Sequence, residues 1–209
     1  MVFHCESMNA KLIVDKAQQE WFKYENETEA DISKMGRQQQ CRWEPPKEGV
    51  IKINTDAAIS ARIVRTGLGI IARNWLGKIM KAMGISECKR GEASKEKGLA
   101  IRSALVMAKD TGWTSIEVQT DCKGVVHQIN TGNVQDSSIE TVLKDNGDLR
   151  QDFDCCKFSF VPRAGNGCSH SLAQFTVKLI RNVEWKNSFP MWLIDLVRKD
   201  MGVVTPFCN

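Results

Sequence analysis

A strand that ends on an acid is the feature that most constrains this chain. Residues 50–58 alternate apolar and polar side chains, and Asp56 stands close to their end. Successive side chains of a strand point to opposite faces, so we predict that Ile51 and Ile53 lie on the buried face and that Asp56 lies on the opposite face. The carboxyl end of a strand is where α/β folds gather their ligands, although an isolated acid there more often starts a turn than binds a metal.

The remaining pattern predicts a mixed α/β sheet. Short connections after the first strand indicate an antiparallel meander, and stretches of helical periodicity separate the later strands. We predict further strands over 67–73, 78–84, 113–120 and 158–161, and helices over 95–111, 123–130, 137–149 and 168–183. The fourth strand stops at a second acid, Asp121, so that two strand ends each carry a carboxylate.

Composition and charge bound the class of protein and its partners. A chain of 209 residues with 42% hydrophobic residues can bury one core of ordinary size. Its net charge of +4 permits an anionic partner but falls short of the basic footprint of a dedicated DNA-binding domain. The start lacks the basic head and apolar run of a secretory signal, and no stretch approaches the roughly 20 apolar residues of a membrane span. We therefore expect an intracellular protein, nuclear or cytoplasmic and not secreted, that is a monomer with no membrane partner.

The first 42 residues differ in pattern from the rest. Residues 10–24 have the apolar spacing of a helix, whereas the polar and charged residues 25–40 show no periodicity. Pro45 and Pro46 then stop any helix before the first strand. We predict a helix and a polar linker over 1–42, one domain over 43–186 and a C-terminal tail over 187–209.

Three ordered groups of residues carry a family resemblance. They are Trp43-x-Pro45-Pro46 with Lys52-x-Asn54-x-Asp56; then Gly69-Ile70-Ile71-Ala72-Arg73-Asn74 with Ala108-x-x-x-Gly112-Trp113 and Glu117-x-x-x-Asp121; and finally Phe160-Val161-x-Arg163-x-x-Asn166 with His170-x-Leu172-Ala173. Taken together over residues 43–185, they resemble the plant ribonuclease H-like domains (type 1, reverse-transcriptase-like) that are related to non-LTR retrotransposons.

The resemblance implies a fold, an activity and a cofactor. The fold would be a ribonuclease H-like five-stranded mixed sheet, three antiparallel strands followed by two parallel ones, flanked by helices. The activity would be endonucleolytic cleavage of the RNA strand of an RNA–DNA hybrid, which would be the partner. Such cleavage uses Mg²⁺ (or Mn²⁺), because two divalent ions about 4 Å apart stabilise the attacking and leaving oxygens. Magnesium prefers oxygen ligands, which explains the family's set of acids.

The family's site can be carried over position by position. Asp56 corresponds to the first aspartate and Asp121 to the third carboxylate, both as catalytic residues and as metal ligands. His170 stands at the last position, where the plant group often has histidine or asparagine. The glutamate position on the long helix is occupied here by Lys97. Since neighbouring helical residues point about 100° apart, Glu96 replaces the missing acid as a catalytic residue only if the helix start is shifted.

Lys97 changes the electrostatics of the predicted site. The formal charge rises from −4 for four acids to −1 for Asp56, Asp121 and Lys97 beside a neutral His170. Two unit charges at about 4 Å interact by roughly 4 kcal/mol at an effective dielectric constant of about 20. Exchanging an attractive acid for a repulsive lysine should therefore weaken metal binding by orders of magnitude.

Two functional hypotheses follow from these residues. The first is a nuclease that uses Asp56, Asp121, Glu96 and His170. The second is a catalytically inactive nucleic-acid-binding or interaction module of retroelement origin, and the residue at position 97 discriminates between the two. For either hypothesis the candidate contacts to substrate are Asn54, Arg163 and Asn166, the last of which is equally suited to cap the final helix.

Overall fold

A computed structural model describes residues 42–134 and 137–202. The strands are β1 (Ile51–Ile59), β2 (Thr66–Arg73), β3 (Ile79–Glu87), β4 (Ser115–Thr120), β5 (Cys155–Phe160) and β6 (Val183–Trp185). The helices are α1 (Ala93–Thr111), α2 (Lys123–Thr131), α3 (Glu140–Arg150), α4 (Gly167–Val177) and α5 (Met191–Asp200). The helix predicted over 10–24 and the linker after it lie outside the described residues.

The strands form one mixed sheet in the order β5-β4-β1-β2-β3-β6. Strand β2 is antiparallel to both of its neighbours, β1 and β3, and β4 and β5 run parallel to β1, as predicted. The prediction of five strands is wrong, because β6 adds a sixth by pairing antiparallel to β3 through Ala82↔Trp185 and Gly84↔Val183. A strand of three residues is too short to show the alternation on which the prediction depended.

The hydrophobic core lies between the sheet and α1. Its fully buried side chains include Ile53, Ile70, Ile101, Leu105 and Val118. The helix contributes every third or fourth residue to this face, as expected for an amphipathic helix. The predicted buried face of the first strand is confirmed, since Ile53 points into this core and Asp56 belongs to the other side of β1.

Helix α4 packs against that other side of the sheet at close range. A Cβ on Gly69 of β2 would lie 2.3 Å from the carbonyl oxygen of Ser169, and one on Gly67 would lie 2.5 Å from that of Ala173. Only glycine permits backbone to approach backbone so closely. The contact lays α4 on the sheet and brings His170 beside Asp56 of β1.

Helix α4 ends at Val177, so the helix predicted over 168–183 is too long. Bonds to distant residues decide where it stops. The carbonyl oxygen of Leu179 accepts a hydrogen bond of 2.6 Å from the Ser86 hydroxyl and another from the Arg65 guanidinium. Further on, the Asn182 side chain accepts a bond of 2.9 Å from the backbone of Ser86. These bonds tie residues 178–182 to the end of β3, in a conformation that local periodicity does not reveal.

Helix α5 lies within the segment predicted as a C-terminal tail. Trp192 and Leu193 are buried, and the ring of Trp192 lies 4.9 Å from that of Phe175 on α4. This part of the tail therefore packs against the domain. Among the helices of residues 42–134 and 137–202, none has the length and apolar composition needed to cross a membrane.

Candidate functional site

One charged cluster lies where the parallel pairing of β1 with β4 stops, beside the start of α1. Asp56 lies inside β1, with a side chain only 2% exposed. The prediction that the strand ends on this acid is wrong, because β1 continues to Ile59 through its pairing with β2. Asp121 directly follows β4, as predicted. The Lys97 ammonium reaches both: Nζ lies 3.1 Å from Asp56 Oδ1 and donates a hydrogen bond to Asp121 Oδ1. The first of these contacts is ionic, since Asp56 Oδ1 receives no aligned hydrogen bond from any described residue. Lys97 therefore bridges the two carboxylates that the sequence placed at the site.

The ion pairs of this cluster stabilise the charged forms of Asp56 and Lys97. Burial opposes ionisation of Asp56, but the hydrogen bond from His170 and the charge of Lys97 outweigh it and lower the pKa of Asp56. Burial likewise opposes the Lys97 ammonium, but its hydrogen bond to Asp121 and the charges of both aspartates raise the pKa of Lys97. At neutral pH the cluster therefore holds an ammonium between two carboxylates.

His170 joins the cluster from α4. Its Nδ1 lies 2.7 Å from Asp56 Oδ2, so the two oxygens of Asp56 face different partners. On the other edge of the ring, Nε2 lies 2.9 Å from Nη2 of Arg163, which begins the short 3₁₀ turn Arg163–Gly165 before α4. The structure therefore brings Asp56, Asp121 and His170 together, with Lys97 at their centre and Arg163 at the outer edge.

Glu96 is not brought to these carboxylates. Its side chain is only 1% exposed, and its Oε1 lies 3.3 Å from Nζ of Lys89. Burial raises the pKa of Glu96, and the charge of Lys89 only partly opposes this. The shifted helix start that Glu96 would need is absent, because its amide bonds to the carbonyl of Glu92 at 2.9 Å in regular helical register. Position 97, and not position 96, faces the aspartates.

Asn54 and Asn166 are buried inside the domain and do not face a substrate surface. Asn54 donates to Gln119 Oε1 at 3.3 Å and to Asn166 Oδ1 at 3.2 Å. Its own oxygen accepts from Trp43 Nε1 at 2.9 Å and from Arg73 Nη2 at 3.0 Å. Both donors and both lone pairs of the amide are thereby used. Asn54 therefore fixes neighbouring elements of the fold and has no bond left for a ligand.

The side chain of Asn166 has a similar role. It donates to the backbone oxygen of Thr55 at 3.0 Å, next to Asp56. Asn166 is the residue before α4, but its side chain makes no capping hydrogen bond, so the predicted cap is not formed. Instead it ties α4 to β1 and so holds His170 near Asp56.

A buried arginine behind the site was missed from the sequence. Arg73 is fully buried and pairs with Asp200 of α5 at 2.9 Å. Its guanidinium carbon lies 3.8 Å from the centre of the Trp43 ring. Residues from both ends of the described chain thus converge on the arginine that bonds Asn54. An arginine in a strand is ordinarily expected at the surface, and the only sequence signal was its place in the family resemblance.

The residues present do not fit the divalent cation that the resemblance implies. The ammonium of Lys97 lies against the same carboxylate oxygens that would bind a metal. Within the described part of the chain, no three acidic, histidine or cysteine side chains are grouped so as to hold a metal ion. A cation entering this cluster would meet a like charge at about hydrogen-bond distance, which opposes binding.

The fold is similar to that of ribonucleases H of known structure. The chain is 22% identical to RNase H1 from the halophilic archaeon Halobacterium salinarum NRC-1, with a TM-score of 0.57 over 61% of this chain and 97% of that one. For the N-terminal RNase H domain of Rv2228c from Mycobacterium tuberculosis the identity is 19% and the TM-score 0.56, over 61% and 93%. LC11-RNase H1 was isolated from compost and solved in complex with an RNA/DNA hybrid. The chain is 16% identical to it, with a TM-score of 0.56 over 61% of this chain and 96% of that one. These likenesses show an α/β RNase H-like fold.

The family itself is shown by sequence. No curated protein matches the chain. A family described as reverse transcriptase-like matches residues 54–176, which is more than half of the chain and includes every member of the carboxylate cluster. The chain therefore belongs to the reverse transcriptase-like family and is an RNase H-like domain.

Proposed function

We propose that this protein is a nucleic-acid-binding module that binds RNA–DNA hybrids without cleaving them. One observation carries the proposal: Lys97 lies 3.1 Å from Asp56 and bonds Asp121, so a fixed ammonium stands where metal-dependent cleavage needs a cation. The carboxylates are already neutralised in part by a side chain of the protein. Hydrolysis by way of bound magnesium or manganese would require this lysine to leave.

The fold supports the proposal that the ligand is an RNA–DNA hybrid. A relative with the same fold, LC11-RNase H1, was solved with an RNA/DNA hybrid bound. The bridging lysine also favours binding over cleavage, because it lowers the negative charge that would repel a phosphate backbone. Lys97 itself is engaged with two carboxylates, so we assign the direct phosphate contacts to other basic side chains.

The resemblance of residues 43–185 to plant domains related to non-LTR retrotransposons supports an origin in that branch of the family. We propose that the module binds as a monomer, since both predicted strand-end carboxylates and their partners come from one chain.

Binding and cleavage of one labelled RNA–DNA hybrid test the proposal. We expect the unaltered protein to bind the hybrid in the presence of EDTA, because no metal is needed. In magnesium or manganese it should release no more product than Asp56→Asn, which serves as the background control. Binding that disappears in EDTA would contradict the proposal, and so would cleavage that Asp56→Asn abolishes.

Lys97→Glu provides the sharpest comparison. It restores an acid at the position that faces Asp56 and Asp121, so magnesium should raise its melting temperature while leaving that of the unaltered protein unchanged. Any cleavage that appears in Lys97→Glu should vanish when Asp56→Asn is added. A magnesium-dependent shift of equal size in the unaltered protein would show that Lys97 does not exclude the cation.

A further inference from the structure

His170 lies between the carboxylate of Asp56 and the guanidinium of Arg163. Its Nδ1 faces Asp56 Oδ2 at 2.7 Å and its Nε2 faces Arg163 Nη2 at 2.9 Å. At neutral pH a carboxylate only accepts hydrogen bonds and a guanidinium only donates them. The two partners therefore fix one tautomer of a neutral imidazole: Nδ1–H donates to Asp56, and the lone pair of Nε2 accepts from Arg163.

This tautomer gives a surface arginine a fixed orientation. Arg163 is exposed, and a long side chain in water loses much rotamer freedom when it binds a ligand. Here Nη2 is already held by His170, whose ring is held by the buried carboxylate of Asp56. The other N–H groups of Arg163 bond no residue in the described part of the chain. Since a guanidinium carries five N–H groups in a planar fork, the four that are not bonded to His170 remain available to a ligand.

We propose that Asp56, His170 and Arg163 form a relay that holds this fork for one backbone phosphate of a bound nucleic acid. The inference rests on the proposed function and assigns it a contact. A guanidinium matches a phosphate group with two parallel hydrogen bonds, which a lysine does not provide. Arg163 is the residue that touches the phosphate, and His170 is a positioning residue. Asp56, predicted as a metal ligand, acts here by orienting the histidine.

The charge around the relay is compatible with a phosphate. Asp56 and Asp121 would repel it, but Lys97 lies between them and forms an ion pair with each. Arg163 stands farther out on the loop before α4, and the neutral imidazole separates it from Asp56. The approaching anion thus meets the guanidinium first.

The salt dependence of hybrid affinity tests the contact. Removing one phosphate contact should make the slope of log K against log salt less steep by about 0.9. We expect this change for Arg163→Ala, with a loss of roughly 10-fold in affinity. The matched control is Arg102→Ala, because Arg102 is an exposed arginine on α1 that pairs with Asp145. It removes the same charge and should leave both quantities nearly unchanged.

Two substitutions of His170 test the relay. His170→Gln places an acceptor near the position of Nε2 but no donor near Nδ1, so it keeps the bond to Arg163 without the one to Asp56 and should weaken binding by about 2-fold. His170→Asn places a donor near the position of Nδ1, so it keeps the bond to Asp56 but not the one to Arg163. It should weaken binding by roughly 3-fold without changing the salt slope, since the arginine charge remains. Melting curves of both variants separate these effects from unfolding.

Each failure has a distinct signature. If the unaltered protein does not bind hybrid at all, the proposed function fails. If it binds and Arg163→Ala behaves like Arg102→Ala, the phosphate contact is wrong although the function stands. If Arg163→Ala behaves as expected but His170→Asn binds like the unaltered protein, Arg163 acts without the relay and the inference is overturned.

Discussion

Replacing Lys97 by methionine tests whether the former acid site now stabilises the fold. Methionine keeps the length and the apolar stem of the side chain but removes the ammonium. Asp56, with a side chain 2% exposed, and Asp121, at 11%, would then face each other without a cation. In a site built to hold a metal, deleting a nearby positive charge has no such cost. Here we expect the domain to lose stability.

The magnitude follows from the geometry. At the 3.1 Å that separates Lys97 from Asp56, the gross attraction is about 5 kcal/mol at an effective dielectric constant of about 20. Desolvation offsets part of this attraction, and breaking a buried pair by removing one partner costs about 3–5 kcal/mol. The Lys97 side chain is 18% exposed, so we expect the lower end, about 3 kcal/mol. For a chain of this size that corresponds to roughly 6–12 °C in melting temperature.

The assay is urea unfolding at neutral pH and low salt. The matched control is Lys109→Met, on the same helix α1, whose ammonium pairs with Asp152 at 2.9 Å with both side chains exposed. Such surface pairs contribute at most about 1 kcal/mol. Adding Asp56→Asn to Lys97→Met should recover part of the loss, because one uncompensated charge disappears. If Lys97→Met costs no more than Lys109→Met, the cluster does not stabilise the fold and the reasoning is refuted.

Four further predictions concern pH, a buried ion pair and packing. Because the pKa of Asp56 is lowered in the folded protein, its ionised side chain stabilises the fold at pH values above the ordinary pKa of 3.8, and this contribution is lost as the pH falls through the folded-state pKa. The difference in unfolding free energy between the native protein and Lys97→Met should therefore be constant near neutrality and disappear in acid. The raised pKa of Lys97 should remove the same difference as pH rises beyond 10.5, and urea midpoints across pH measure both limits. Arg73→Met strips a buried aspartate of its partner and should cost about 3–5 kcal/mol in the same assay; a loss below 1 kcal/mol would contradict that. Gly69→Ala would push a Cβ to within 2.3 Å of backbone and should cost about 3 kcal/mol, whereas Gly124→Ala, with open space on α2, should gain about 0.5 kcal/mol; equal melting temperatures would contradict the close approach of α4.

Local pattern was enough to find the strands that carry the two aspartates. Alternation predicted the buried face of β1, and Asp121 stands where β4 stops, whereas β1 continues past Asp56 because its last residues pair with β2. Lys97 could be assigned by counting along a helix, because helical register carries over several turns without tertiary information. These features depend on residues that are neighbours in sequence, which is why the sequence predicts them.

Features that depend on distant residues were not predicted. Arg73 is buried because Asp200, far along the chain, meets it with a carboxylate, and no local pattern reveals such a pair. The end of α4 is set by bonds from Ser86 to the backbone of Leu179, and β6 follows from that turn. The amide of Asn54 looks like a substrate contact in a motif, yet four internal partners use it fully. Burial, which only the fold determines, changes the role of such a residue.

The separation of Glu96 from the aspartates is a matter of helical register and not of its partner Lys89. The Lys89 ammonium lies 3.3 Å from Glu96 and 2.6 Å from Glu87, so it could be taken for the clamp that keeps the acid away. Yet adjacent helical side chains diverge by about 100°, and the amide of Glu96 is bonded in regular register. Lys89→Met should therefore expose no metal site: magnesium should leave its melting temperature unchanged, whereas it should stabilise Lys97→Glu. Stabilisation of Lys89→Met by magnesium would mean that Glu96 can reach the aspartates, and that the register of α1 is less fixed than its hydrogen bonds indicate.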